Sequence, residues 1–365
     1  IDGATVVCSS TETELLNRLR LYIIENDFDI ISGYNSDAFD LPYIFERAEQ
    51  LKIKNFPDFS RERGFPSFFK KSVFQSAQAG TIESIHWTIP GIIPFDLLPL
   101  CRKTFKLGSY KLNNVAKAKL NDQKEDLDYK LLRPLQQGSA DDRKRIGTYC
   151  IQDTILVKKL TDKLQLLVNN IEVAKVIGIT LFEVLTRGQT HKVKTKLLQT
   201  TSKRNIFLPT LPRDKATGHI QCFWHNNVIN KKQQEAAGGS AKFKGATVLE
   251  PKKGFYSSPV CVLDFSSLYP SIMRAFNLSH DQMLHSREAG HAAGLTDEEI
   301  VETPNGFFFA QREKGILPIF LEYLHETRTA AKKKMKEATT DLEKAVWDGQ
   351  QLGYKIIMNS TYASN

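Results

Sequence analysis

Val260-Cys-Val-Leu-Asp264-Phe-Ser-Ser-Leu-Tyr269-Pro-Ser-Ile-Met273 is the stretch of this sequence with the least structural freedom. Four apolar residues are too few for a helix and suit a buried strand, and Pro270 fixes the backbone where a helix would begin. A carboxylate therefore stands at the C-terminal end of a strand. The small hydroxyl residues after it lead into a helix whose first N–H groups have no partner within the helix. Such a junction can hold hard Mg²⁺ on Asp264 and phosphate oxygens on the backbone amides of the turn. Taken singly, Asp264 is explained as well by a helix cap.

A chain of 365 residues exceeds the roughly 250 to 300 that one core organises, so this junction is one module among two or three. The first 165 residues or so alternate strand and helix. Ala4 to Cys8, Phe28 to Ser32 and Ile92 to Leu98 are short apolar runs, while Leu15, Leu16, Leu19 and Ile23 follow helical spacing after Thr11. Ile146 to Leu167 reads as a half-buried helix, and the pattern stays helical from Asn169 to Leu198. Asn230 to Lys244 is polar and aperiodic, which marks a boundary or loop. Ile319 to Glu337 and Asp341 to Tyr362 form two long helical patterns around Ala338-Thr339-Thr340, the outline of an antiparallel helical hairpin.

The formal charge of +9 makes a polyanion a plausible partner and is also compatible with simple solubility. Five scattered cysteines with no CxxC pair write neither a disulfide framework nor a zinc site. No apolar run approaches the roughly 18 residues of a membrane span.

Three more clusters carry chemistry. In Gln351-Leu-Gly-Tyr-Lys355-Ile-Ile-Met-Asn359-Ser-Thr-Tyr362, residues 351, 355, 359 and 362 share one helix face, either a nucleotide groove or a solvated surface. Arg328, Lys332 and Lys336 recur every four residues as a basic stripe, which a surface helix could also show. Asn35-Ser-Asp37-Ala-Phe39-Asp40-Leu-Pro42 is a turn entering a helix, where Asp37 or Asp40 could cap. Tyr149 and Asp153 stand at i and i+4 on one helix, able to position a water and a metal together.

Together these segments resemble the family B DNA polymerases, delta-like and large-virus members above all. Asp264 to Met273 matches their motif A and Lys355 to Tyr362 their motif B, K-x-x-x-N-S-x-Y, although Ala363 stands where glycine is usual. Ile30 to Ile44 and Tyr149 to Asp153 match motifs Exo II and Exo III of the fused DEDD proofreading exonuclease. Lys106 to Asn113, Leu185 to Gln189 and Phe243 to Pro251 resemble further blocks in order, the last being the template-tracking Y-x-G-G/A element with Phe243 in place of tyrosine.

The resemblance implies an α/β RNase H-like 3′–5′ exonuclease domain over 1–168 and a helical connector and loop over 169–245. Part of an α+β palm would follow over 246–314, and an antiparallel helical fingers hairpin over 315–365. It implies that Asp264 and the Phe265 carbonyl hold metal at the polymerase site, and that Asp40 and Asp153 do so at the exonuclease site, with Tyr149 orienting water. Ser267, Leu268, Arg328, Lys332, Lys355, Asn359 and Tyr362 would contact the nucleotide. Tyr269 would exclude a 2′-hydroxyl, or else be a packed core aromatic. Asn35 and Phe39 would lie along the frayed primer end; Phe243, Gly245 and Ala246 would follow the template. The implied cofactor is two Mg²⁺ per site, and the partners are primer-template DNA, dNTPs and a processivity clamp, with no membrane. The setting is intracellular, in a nucleus or a viral replication compartment.

No D-x-E of Exo I precedes Asp40 and no Y-x-D-T-D of motif C follows motif B, so the expectation is an internal fragment that is inactive alone. Two rival readings are a DNA-binding protein on a decayed scaffold and a stand-alone exonuclease. The first is opposed by the joint presence of Asp40, Tyr149, Asp153, Asp264, Lys355 and Asn359. The second leaves Tyr269 and the Lys355 face without a role.

Overall fold

The computed structural model describes all residues except 2, 63, 77–79, 123–126, 207–248, 266, 305 and 362–365. The described residues form two compact units, one of Ile1–Gly188 with Ala331–Gly353, the other of Gln189–Ala330 with Tyr354–Asn365. Among them no helix is long and apolar enough to cross a membrane.

The first unit opens with α1 (Glu12–Glu25), which starts where the Thr11 hydroxyl accepts the Glu14 N–H. Then come β1 (Ile30–Gly33), α2 (Asp40–Gln50), β2 (Phe68–Ser76), β3 (Gly80–Thr88) and β4 (Ile93–Asp96). β1 and β4 pair in parallel, Ile30 opposite Ile93 and Gly33 opposite Asp96. β2 and β3 form an antiparallel hairpin, which the sequence reading did not anticipate. Helices follow: α3 (Leu97–Thr104), α4 (Leu112–Leu120), α5 (Tyr129–Gln137), α6 (Ala140–Lys163), α7 (Leu166–Ile177) and α8 (Leu181–Thr186). Reciprocal capping boxes, Ser139 with Asp142 and Thr180 with Glu183, fix the starts of α6 and α8. Phe95, Leu97, Cys101, Val115, Leu160 and Leu166 make one core, joining β4 to α3, α4, α6 and α7. Leu16, Ala48 and Phe56 make a second beneath α1 and α2.

In the second unit α9 (Gln189–Ser202) and α10 (Leu268–Ala275) precede β5 (Met283–Leu284), α11 (Arg287–Ala292), β6 (Ile300–Glu302) and β7 (Phe308–Ala310). The three strands form an antiparallel sheet in the order β5-β7-β6. Two long helices, α12 (Ile316–Glu337) and α13 (Asp341–Ser360), follow. The first contributes Leu317, Phe320, Leu321 and Leu324 to the buried residues of this unit, and the second Ile357 and Met358.

Residues 331–353, the facing ends of α12 and α13, belong to the first unit. Lys334 lies over the Trp347 ring, 4.5 Å from its centroid. Gly349 approaches α7 so closely that an added Cβ would stand 3.0 Å from the Asn169 carbonyl oxygen. The buried Glu172 carboxylate accepts from Gln350 Nε2 at 2.8 Å and Lys175 Nζ at 2.6 Å.

Two apolar runs depart from expectation. Val260 to Leu263 forms no strand: Val260, Val262 and Leu263 are 70, 85 and 90% exposed. Ala4 to Cys8 is likewise unpaired, with Val6 and Val7 exposed. An apolar tetrad becomes a buried strand only when partner strands flank it, and neither run pairs with a strand among the described residues. The expected loop at 230–244 falls outside them.

Candidate functional site

The turn after β1 is built for tightness. A Cβ on Gly33 would lie 2.6 Å from Ser36 Cβ, and Asn35 adopts a left-handed backbone, φ +64°. The Phe39 N–H returns to the Asn35 carbonyl at 3.0 Å, so α2 begins at Asp40 with Phe39 as its N-cap residue. Asp40 is thus the first helical residue and not the cap.

Asp96 organises this turn from the end of β4. Its carboxylate accepts the N–H groups of Asn35 at 2.8 Å, Asp37 at 3.2 Å and Leu98 at 2.9 Å. One side chain therefore starts α3 and holds the loop carrying Asn35, Phe39 and Asp40. Sequence reasoning missed it; the signal was an aspartate between the apolar run of β4 and the helix opening Leu-Leu-Pro. The fully buried Trp87 adds a hydrogen bond from Nε1 to the Asp37 carbonyl, 2.9 Å.

Asp40 and, from α6, Asp153 border one cleft of about 720 Å³, together with Tyr34, Ile44, Lys158 and Asp162. Burial pushes the Asp40 carboxyl above its ordinary range, its own backbone N–H partly offsets this, and nearby Asp96 adds to the rise. Asp37 is pushed up to about 7, by burial first and Asp96 second. Its Oδ1 is buried and accepts no hydrogen bond among the described residues. Asp96 is also raised by burial, against the pull of its three N–H donors. Carboxylates that are costly to ionise in this way gain from a bound dication. Phe39 is 66% exposed, leaving a ring face on which a base can stack.

Tyr149, one turn before Asp153, borders a separate hollow of about 300 Å³ with Lys144, Arg145 and Gln152. The structure therefore brings Asp40 and Asp153 to one cleft and sets the phenol on a neighbouring one. Among the described residues no group of three or more His, Cys, Asp or Glu side chains could hold a metal. The cleft supplies two carboxylates of fitting chemistry, part of the donor set that a two-magnesium centre takes.

In the second unit Ser267 precedes α10 in a left-handed conformation, φ +55°, with no side-chain cap bond. Leu268 and Tyr269 open the helix, both partly exposed, and Pro270 is buried. Asp264 and Phe265 lie exposed in the irregular segment before it, and Ser267 is the N-cap residue, so Asp264 does not cap α10. On α12 Arg328 is half-buried, which holds its guanidinium below its ordinary value, and Lys332 is exposed. On α13 Lys355 and Asn359 are exposed while Ile357 and Met358 are buried, the segregation that the helix-face reading requires. Tyr362, Phe243, Gly245 and Ala246 lie outside the described residues.

Residues 179–364 match the family description "DNA polymerase family B", and residues 1–115 match "DNA polymerase family B, exonuclease domain". The chain is 41% identical over 364 residues to the DNA polymerase delta catalytic subunit of Glycine max, covering 99% of this chain and 31% of that protein. It is 38% identical to the Schizosaccharomyces pombe subunit of the same name, again over 99% of this chain and 31% of the relative. The structure is similar to that of a family B DNA polymerase from the archaeon Pyrobaculum calidifontis, with a TM-score of 0.66 and 25% identity, over 99% of this chain and 42% of that one. The chain thus spans about a third of the length of the curated relatives it matches.

Proposed function

This chain belongs to DNA polymerase family B, and we propose that the protein it forms part of copies DNA from a template and proofreads the new 3′ end. The observation that carries the proofreading half is the cleft that Asp40 and Asp153 share. The two residues come from α2 and α6, far apart in sequence, yet both border one cleft whose lining is otherwise mostly apolar.

In this reading residues 1–168 are an RNase H-like exonuclease, 169–245 a connector, 246–314 palm and 315–365 fingers. Asp40 and Asp153 would hold magnesium at one site, Asp264 and the Phe265 carbonyl at the other. Bound Mg²⁺ supplies Lewis-acid stabilisation of the phosphoryl group and of the attacking and leaving oxygens. The chain's own residues select and orient. Phe39 and Asn35 receive the unpaired primer end, and Tyr149, which borders the neighbouring hollow, would have to turn toward Asp153 to orient water. The backbone amides of Ser267 and Leu268, with Arg328, Lys332, Lys355 and Asn359, take the triphosphate of an incoming dNTP, and Tyr269 lies under its sugar. Tyr362 lies near the nascent base pair, and Phe243, Gly245 and Ala246 follow the template. Primer-template DNA and a processivity clamp are the partners, in a nucleus or a viral replication compartment.

Two sites make separable losses. In the full-length protein Asp264→Ala should abolish nucleotide addition and leave digestion of single-stranded 3′ ends, while Asp40→Ala or Asp153→Ala should do the opposite. Primer extension and end digestion on one preparation decide it. Equal loss of both activities in each variant, with circular dichroism unchanged, would reject the two-site reading.

A further inference from the structure

Every helix start leaves N–H groups without partners, and at α12 those of Gly315, Ile316 and Leu317 are met by side chains 35 to 38 residues upstream. Asn277 ends α10 in a left-handed conformation, φ +53°, and turns its buried side chain onto the connection between β7 and α12. Its Nδ2 donates to the carbonyls of Ala310 at 2.6 Å and Glu313 at 2.8 Å, and its Oδ1 accepts the Gly315 N–H at 2.8 Å. The Asp281 carboxylate accepts the Ile316 N–H at 3.1 Å, and the buried Ser279 hydroxyl accepts the Leu317 N–H at 3.1 Å while donating to Asp281. Pro318 has no N–H to satisfy, and the Ile319 N–H already meets the Gly315 carbonyl. A Cβ on Gly315 would lie 2.5 Å from Ser279 Cβ, so this fit is open only to glycine. Farther along, Glu322 of α12 pairs with Arg274 of α10 at 3.4 Å.

We propose that Asn277 is a positioning residue for nucleotide addition: it locks the base of α12 to the end of α10 and so fixes Arg328 relative to Tyr269. This rests on the polymerase reading above, in which both residues touch the incoming nucleotide. Arg328 stands twelve residues beyond Ile316, about 18 Å along the helix axis. A tilt of about 5° at the cap would move it by about 1.6 Å, enough to spoil a contact on which addition depends. Removing the Asn277 amide frees two carbonyls and one N–H at that pivot. The Ser279 and Asp281 contacts remain, so the helix keeps a partial cap and loses its orientation.

The test is steady-state single-nucleotide addition by the full-length protein, as wild type, Asn277→Ala, Arg328→Ala and the double variant, with single-strand end digestion measured alongside. Asn277→Ala should raise the KM for dNTP at least tenfold and leave end digestion within twofold of wild type. In the Arg328→Ala background the same change should add less than twofold, because the contact it positions is already gone. Ser279→Ala, which removes one of the three bonds, should show a smaller KM increase in the same direction and serves if Asn277→Ala fails to fold. Multiplicative losses in the double variant, or a fall in end digestion parallel to addition, would overturn the proposal and leave Asn277 as a stability residue only. A wild-type protein that added no nucleotide would instead overturn the functional reading on which the proposal rests.

Discussion

Replacing Asp37 by asparagine should stabilise the fold around the cleft, and chiefly at neutral and alkaline pH. The carboxyl is pushed from its ordinary 3.8 to about 7 by burial and by Asp96, so the folded chain holds this proton more tightly than the unfolded one. Stability therefore falls as pH rises from the unfolded value toward the folded one, and the full loss is present above about 7. At about 1.4 kcal/mol per tenfold change the loss has a ceiling of roughly 4 kcal/mol. The side chain keeps some solvent contact and the loop can relax, so about 2 kcal/mol is the expected figure. Asparagine has the same shape and no charge to desolvate. Urea unfolding followed by circular dichroism should show the variant ahead by about 2 kcal/mol at pH 8 and by less than about 1 kcal/mol at pH 5. An equal advantage at both pH values would refute ionisation as the cause. No advantage at pH 8 would show that the carboxylate is solvated after all.

Tyr269→Ala in the full-length protein should raise ribonucleotide incorporation strongly and Tyr269→Phe should not, since a ring and not a hydroxyl does the excluding. The ratio of kcat/KM for matched dNTP and rNTP measures this, and an unchanged ratio in the alanine variant would make Tyr269 a packing residue. Gly349→Ala should lower the melting temperature more than Gly353→Ala: the first added methyl meets backbone of Asn169 at 3.0 Å, the second the Val176 side chain at 3.1 Å and backbone no nearer than 3.5 Å, at Val173. Overpacking of about 1–3 kcal/mol outweighs the roughly 1 kcal/mol that alanine gains over glycine in a helix, and calorimetry on both variants checks the order.

What the sequence discloses depends on how local the cause is. α12 and α13 are legible because apolar periodicity lies within the segments themselves, and Thr340 accepts the Glu343 N–H where α13 starts; α6 was legible only in part, its periodicity read over 146–167 while the Ser139–Asp142 capping box starts it at Ala140 and it ends at Lys163. The β2–β3 hairpin was invisible because Phe68, Phe69 and Val73 remain exposed, so no buried alternation marks the strands. Val260 to Leu263 was misread for the complementary reason, its burial depending on neighbouring strands and not on its own residues. At the cleft, Asp40 and Asp153 could be named from their motifs, whereas Asp96 and Asn277 act through backbone groups tens of residues away and carry no local signature. The i, i+4 spacing of Tyr149 and Asp153 was correct as helix geometry, yet adjacent side chains on one helix can still face different hollows.

The exposed run before α10 also bears on how the 365-residue chain behaves in a test tube. Val260-Cys-Val-Leu carries two β-branched valines, no charge and no proline, and the exposed ring of Phe265 follows after Asp264. An exposed apolar segment of high β-propensity that pairs with no strand of its own can pair with the same segment of another chain. Cys261, exposed within it, would fasten two such chains covalently under air. Isolated at high concentration without reductant, the chain should self-associate through this segment, and a charged residue at Val262 would act as a gatekeeper against it.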